Sequence, residues 1–365
     1  MPDTIDRILH WLEKLVAMDT QNGTGDEIAC ARFLAEGLAV YNPDQLIVET
    51  VTRSRGKSDS GYVFAGWGSA EILLNVHIDT VPESAGWTGN PLELRDQGDR
   101  VVGLGTSDIK GAAACIMAAL EGTSPRNIGI LFSGDEEHGS EVMPEIIRRG
   151  HYGAPKLAIV CEPTSLKVGR QHRGMLAYSA RFKGKGGHSS LADITERPLL
   201  DAVRLGSAIG DYGDRFMDFG EPPYKGLCTN IGYLRSDGAY NVIPTATEIK
   251  FSMRPPPGDS VANRASALEA IVEDCTPHAE LTQIVQLEPF ASIDLDAFKS
   301  IFSDDYEWTD LPFWTEAALL SQAGVNSVVF GPGNLDQAHK PDEYVLKEQL
   351  IGAYNVYRKV IQRSP

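Results

Sequence analysis

Apolar residues in this chain recur at two spacings, and the switch between them divides it into parts. Over the first half, short apolar runs alternate with stretches of helical period. The runs EILLNVH (71–77), NIGILFS (127–133) and KLAIVC (156–161) read as buried strands, and SVVFGPG (327–333) brings the pattern back near the end. Between them, DEIACARFLAEGLAVY (26–41), DIKGAAACIMAALEG (108–122) and VMPEIIRRG (142–150) read as helices. Strands and helices in alternation predict an α/β fold, a doubly wound, mostly parallel sheet covered on both faces. From about 170 to 287 the period becomes two: MLAYSARFKG, LCTNIGYLRS and ATEIKFSMRP alternate apolar and polar, with helical segments around 198–210 and 260–273. Half-buried strands of that kind predict a small antiparallel α+β domain, 170–287, inserted into a catalytic domain made of 1–169 and 288–365.

A length of 365 residues agrees with two domains rather than one core. The net charge of −17 excludes a nucleic-acid partner, since phosphate backbones are bound by clustered Lys and Arg. Cys30, Cys115, Cys161, Cys228 and Cys275 form no CxxC pair and are expected to be reduced core residues of a cytoplasmic protein. Near the N-terminus Ile5, Ile8, Leu9, Leu12, Leu15 and Val16 recur at helical spacing among charges, unlike a signal peptide. No apolar stretch is long enough to cross a membrane.

In an open parallel sheet the ligand crevice lies beyond the carboxyl ends of the strands. Here several strand ends finish in metal-type ligands: His77 and Asp79 after ILLNV, Asp135, Glu136 and Glu137 after ILFSG, Glu162 after LAIVC, and His339 a loop beyond SVVFGPG. One such residue alone would more often serve packing. Several converging carboxylates repel one another unless a cation neutralises them. Asp108 opens a helix after RVVGLGTS and reads equally as an N-cap. A nucleotide loop at Gly103 and Gly105 is disfavoured, because Asp108 would meet a pyrophosphate with like charge. Glu136 and Glu137, being adjacent, point in different directions, so one can ligate while the other serves as general base; the alternative is a solvated acidic loop. Asp79 is placed to orient His77 rather than to bind metal, or forms a salt bridge. Imidazoles and carboxylates without thiolate suit zinc, cobalt or manganese. There is no GxSxG elbow, and Cys161 lies in an apolar run that raises its pKa, so covalent catalysis is the weaker option.

The segments NVHIDTVP, GLGTSDIKGAAA, SGDEE, CEPT, GGHSS, NVIP, MRP and GPGNLDQAHKPDE stand in the order found in the dizinc aminoacylase and glutamate-carboxypeptidase-like hydrolases, which this chain resembles over nearly its whole length. The resemblance implies that His77, Asp108 and Glu162 hold one zinc and Asp108, Glu137 and His339 the other, with Asp108 bridging and Glu136 as base. It implies a ferredoxin-like inserted domain that acts as lid and dimerises, and a cis peptide after Asp108. It also implies that His188 donates to the oxyanion, that Arg254 grips a substrate carboxylate, and that Asn241 lies in the same pocket. Without it, His188 reads as a polar turn residue and Arg254 as a strand-edge charge. The family includes acetylornithine deacetylase and succinyl-diaminopimelate desuccinylase. The segment around Phe313 and Trp314 resembles the acetylcitrulline branch, where these rings would wall a pocket for a neutral ureido group, or else pack the core. The expected reaction is release of acetate from N-acetyl-L-citrulline or N-acetyl-L-ornithine, a step of arginine biosynthesis. A desuccinylase, a metallo-dipeptidase or carboxypeptidase, and a non-enzymatic metal-binding scaffold are the alternatives.

Overall fold

Strands Ile72–His77, Ile128–Ser133 and Leu157–Val160 are buried along nearly their whole length, as side chains covered on both faces of a sheet must be. Ile72–His77 lies between the other two in parallel register, and Asn326–Val329 pairs in parallel beyond Leu157–Val160. Antiparallel neighbours extend the sheet on both flanks. Ser60–Trp67 joins Ile128–Ser133, Gln45–Val51 joins Ser60–Trp67, and Val168–His172 meets Asn326–Val329. The sheet is thus parallel where the ligand-type residues leave it and mixed at its margins. The last parallel strand stops at Val329, short of the 327–333 run, because Gly331, Pro332 and Gly333 cannot continue a ladder.

This computed structural model describes residues 3–53 and 58–363. The chain divides into a larger unit, Met1–Arg170 with Ser292–Leu311 and Thr315–Pro365, and a smaller one, Gln171–Ala291 with Pro312–Trp314. In the larger unit helix Lys110–Leu120, rich in alanine, is buried at every position and packs between Thr4–Val16 and Lys347–Ile361. An apolar helix with no polar face belongs inside a core, and its small side chains let the neighbours approach closely. Glu27–Ala39 packs on Ser60–Trp67.

The smaller unit runs Met175–Lys183, Pro198–Asp214, Asn230–Ser236, Ala246–Met253, Val261–Cys275, Glu280–Leu287, a βαββαβ order. Its antiparallel sheet is ordered Glu280–Leu287, Met175–Lys183, Ala246–Met253, Asn230–Ser236, which is the ferredoxin-like arrangement. Thr247, Ile249, Phe251 and Met253 alternate inward to a core shared with Leu205, Ile209 and Leu268 of the two helices. That core is distinct from the one beneath the large sheet.

The expectation of five core cysteines needs correction. Cys30, Cys115 and Cys161 are buried, whereas Cys228 and Cys275 are exposed, standing respectively in a left-handed turn and at a helix end. Among the described residues no helix is long and apolar enough to cross a membrane.

Candidate metal centre

The parallel strands deliver their carboxyl ends to one edge of the sheet, and each ends in an imidazole or an acid. His77 is the last residue of its strand, and Glu162 lies two residues past Val160. Glu136 and Glu137 open a short 3-10 turn after Ser133, and Asp108 precedes helix Lys110–Leu120. His339 stands in the loop after Val329 with a left-handed φ of 61°.

His77 Nδ1 lies 3.1 Å from the carbonyl oxygen of Asp79 and 3.5 Å from its Oδ1. The ring therefore aims Nε2 at the acids, 3.2 Å from Asp108 Oδ1 and 3.8 Å from Glu162 Oε2. Asp108 Oδ2 is 3.4 Å from His339 Nε2, which is 2.8 Å from Glu137 Oε1. One carboxylate thus turns its two oxygens toward two different imidazole–carboxylate pairs. Ligand atoms of His77, Asp108 and Glu137 all lie within 4.8 Å of one another.

Among the described residues, Asp108, Glu137 and Glu162 pair with histidines and with no lysine or arginine. Burial, and then the charge of the neighbouring acids, pushes Glu162 well above the usual carboxylate range and raises Glu137. Burial opposes Asp108 as well, but hydrogen bonds from His339 and His77 outweigh it and hold the carboxyl low. His339 is pushed up to about 10 by its hydrogen bonds to Asp108 and Glu137. The cluster calls for positive charge, and among the described residues the imidazoles are the cationic groups paired with it. Three carboxylates, one of them shared, and two imidazoles fit two small divalent cations, and a donor set without thiolate suits zinc, cobalt or manganese.

Further residues hold this set in place. Asp79, fully buried, accepts the backbone N–H groups of Glu136 at 3.1 Å and Glu137 at 3.0 Å, and the Asn22 amide at 2.9 Å. Asp135, in the left-handed region at φ 69°, takes Arg53 at 2.8 Å on one oxygen and the Glu141 N–H at 2.8 Å on the other. Arg53 also lies 3.3 Å from Glu27, which accepts the Ser60 hydroxyl. A Cβ at Gly134 would collide with Glu27 and Ser60, so the turn can pass there only as glycine. Glu316 accepts the hydroxyls of Ser133 and Ser140, each at 2.7 Å. Glu136 is half-buried, and burial followed by the Glu162 charge pushes its carboxyl well up. Asn22, Glu27, Arg53 and Glu316 carry no motif of their own and escape a reading of the sequence alone.

The remaining expected site residues belong to the smaller unit. His188 pairs with Val242 across a two-stranded ribbon, and the Ser189 N–H donates to the Asn241 carbonyl at 3.1 Å, so His188 and Asn241 stand together. His188 Nδ1 accepts the Ser190 N–H at 3.2 Å and lies 2.8 Å from its hydroxyl, which leaves the exposed Nε2 as the protonated nitrogen. Arg254 is half-buried, burial lowers its pKa, and no described residue partners its guanidinium. Trp314 donates to the Glu288 carbonyl at 3.0 Å and packs edge-on to His172 at 6.2 Å, while Phe313 is half-exposed.

Residues 73–363 match peptidase family M20/M25/M40, a family of metal-dependent hydrolases. An N-acetyl-L-citrulline deacetylase of Xanthomonas campestris pv. campestris is 33% identical, the alignment covering 100% of both chains. An acetylornithine deacetylase of Myxococcus xanthus is 30% identical over 99% of this chain and 98% of its own. A solved M20 family metallo-carboxypeptidase from Sulfolobus solfataricus shares the fold with a TM-score of 0.76, covering 98% of this chain and 99% of its own at 16% identity. With motifs, fold and ligand cluster in agreement, this chain belongs to peptidase family M20/M25/M40.

Proposed function

We propose that this protein hydrolyses the amide bond of an N-acetyl amino acid, giving acetate and the free amino acid, with N-acetyl-L-citrulline as the favoured substrate and N-acetyl-L-ornithine next. The observation that carries the hydrolytic reading is Asp108, whose two oxygens face His77 and His339 separately. The citrulline preference rests on the relative that matches along the full length of both chains.

His77, Asp108 and Glu162 would hold one zinc and Asp108, Glu137 and His339 the other. Zinc there supplies a lowered water pKa and a Lewis acid for the substrate carbonyl. Glu136 takes a proton from the attacking water and hands it to the nitrogen as the C–N bond breaks, so the amine leaves neutral and the acyl group leaves as acetic acid, whose remaining proton passes to the amine or to solvent to give acetate. His188, protonated on Nε2, donates to the oxygen on which charge develops. Arg254 is free to grip the α-carboxylate with both arms of its fork, and Asn241 stands beside His188. Of the two aromatic residues, Phe313 remains available as a pocket wall. Trp314 has its N–H committed to Glu288, which makes it a support for that wall.

A homodimer is part of this reading. Edge strand Asn230–Ser236 exposes Ile231 and Leu234, and helix Pro198–Asp214 exposes Leu199, Leu200 and Val203. Unpaired N–H groups and apolar side chains on one small domain suit a second copy of the same surface. A cytoplasmic location follows from an intermediary-metabolism substrate.

The deciding experiment compares acetate release from the two acetyl amino acids per metal-loaded site. Turnover of neither, with cleavage of a dipeptide or of N-succinyl-diaminopimelate, would move the protein to another branch of the family. No turnover of any amide would leave a binding scaffold.

A further inference from the structure

Glu343 lies four residues beyond His339 and is 2% exposed. Its carboxylate is surrounded by backbone donors from the loop that carries Asp108. Oε2 accepts the Gly105 N–H at 2.9 Å, and Oε1 accepts those of Ser107 at 2.7 Å and Asp108 itself at 2.9 Å. The backbone carbonyl of Glu343 takes two more bonds from the same loop, from the Gly103 N–H at 3.0 Å and the Thr106 hydroxyl at 3.3 Å.

A buried carboxylate is tolerated only where hydrogen bonds replace its water, and backbone N–H groups clustered in a turn form such a cradle. Gly105, at φ 79°, lets the turn close, and a Cβ there would press on Thr80 and Lys110. Among the described residues no strand pairs with 105–108; Ser107 Oγ exchanges bonds with the Asn334 backbone, and Glu343 binds the N–H groups of the turn itself. Because Asp108 bonds it through its own N–H, the position of the Asp108 backbone, and so the direction of its carboxylate, follows that of Glu343.

We propose that Glu343 is a positioning residue for the shared ligand: by gripping the N–H groups of Gly105, Ser107 and Asp108 it sets where the Asp108 carboxylate stands between His77 and His339, and hence how tightly the metal pair is held. The proposal rests on the reading of Asp108 as a bridging ligand. It also makes the 339–343 loop a double contributor, giving one ligand directly and aiming another through the backbone. A plain tether for the loop would contribute stability alone.

The test is metal binding. Metal-free protein and its Glu343→Gln and Glu343→Asp variants are titrated with zinc against a competing chelator, and the visible spectrum of the cobalt(II) forms is recorded. In Glu343→Gln an amide NH₂ meets backbone donors, so zinc affinity should fall about 10- to 100-fold and the cobalt spectrum should shift, with circular dichroism and elution volume unchanged. Glu343→Asp keeps the charge on a shorter arm and should show a smaller change of the same sign. Unaltered affinity and spectrum with a lowered melting temperature alone would overturn the proposal. If the glutamine variant fails to fold, the aspartate variant is read by the same criteria; failure of both to fold would make Glu343 a folding residue and also overturn it. Loss of affinity in the parent protein itself, which would then bind no zinc, would sink the reading of Asp108 and this inference with it.

Discussion

Asn22 donates its side-chain amide to Asp79 across 2.9 Å, and Asp79 passes that constraint to the backbone of Glu136 and Glu137 rather than to their side chains. Glu136, the proposed base, and Glu137, a proposed ligand, therefore stand on a turn gripped by one carboxylate. Asp79→Asn puts an NH₂ against backbone N–H groups, so turnover should fall by about 10- to 100-fold. Asn22→Ala removes one donor of three and should have a smaller effect of the same sign. Equal turnover in Asp79→Asn and parent would show that the turn holds without this anchor.

Glu136 pairs with none of the histidines that engage its neighbours Asp108, Glu137 and Glu162. Glu136→Gln should therefore bind metal as the parent does while losing roughly 10²- to 10⁴-fold in kcat. Metal content by atomic emission and turnover on the same sample separate the two effects. Full turnover, or loss of metal in proportion to activity, would remove Glu136 from the role of base.

For His188, the ribbon that pairs it with Val242 is held by backbone bonds that alanine would retain. His188→Ala should leave metal content intact and lower kcat about 10²- to 10³-fold, the scale of a lost oxyanion donor. An unchanged kcat would return the residue to its turn role.

The half-buried guanidinium of Arg254 has no partner among the described residues, which is costly unless a ligand supplies one. Arg254→Ala should raise KM for an N-acetyl amino acid by about 10- to 100-fold. The corresponding α-amide substrate, with no carboxylate to grip, should be processed alike by parent and variant. A matching penalty on both substrates would mean that Arg254 acts elsewhere.

Glu27 gives a pH dependence of stability. Burial, and next the charge of Asp79, pushes its carboxyl from the ordinary 4.5 up to about 7. A carboxyl whose folded value is raised favours the folded state while protonated; that contribution is complete below about 4.5 and lost as pH rises through about 7. Glu27→Gln has no proton to lose there. With saturating zinc, its melting temperature should therefore gain on the parent's between about pH 5 and pH 7.5. A difference that stays constant across that interval would count against the assignment.

What the sequence conveys is set by distance along the chain. Most of the proposed ligand positions are legible because His77, Asp108, Glu137 and Glu162 stand at or just past the end of a strand or open a helix whose period is visible in a dozen residues, and His339 lies a loop beyond such a strand. Their supports are not: Asn22 meets Asp79 across 57 residues and Glu343 meets Asp108 across 235, and such neighbours exist only once the sheet has formed. The strands Gln45–Val51 and Ser60–Trp67 escape for a related reason, since the first is mostly exposed and the second buried throughout, so neither shows a clean alternation. The cysteines divide by their local sequence: Cys30, Cys115 and Cys161 lie in apolar runs and are buried, whereas Cys228 and Cys275, in GLCTN and EDCTP, stand in no such run and are exposed.

The separate cores of the two units bear on how such a protein changes over time. The proposed metal ligands belong to the unit built on the core beneath the large sheet, whereas Arg254, Asn241 and His188, proposed to meet the substrate, belong to the unit built on the βαββαβ core. On the proposed division of roles, substitutions that retune recognition are absorbed by one hydrophobic interior and leave the other undisturbed. A lineage can thus drift from one acyl amino acid to another while its hydrolytic centre is inherited intact.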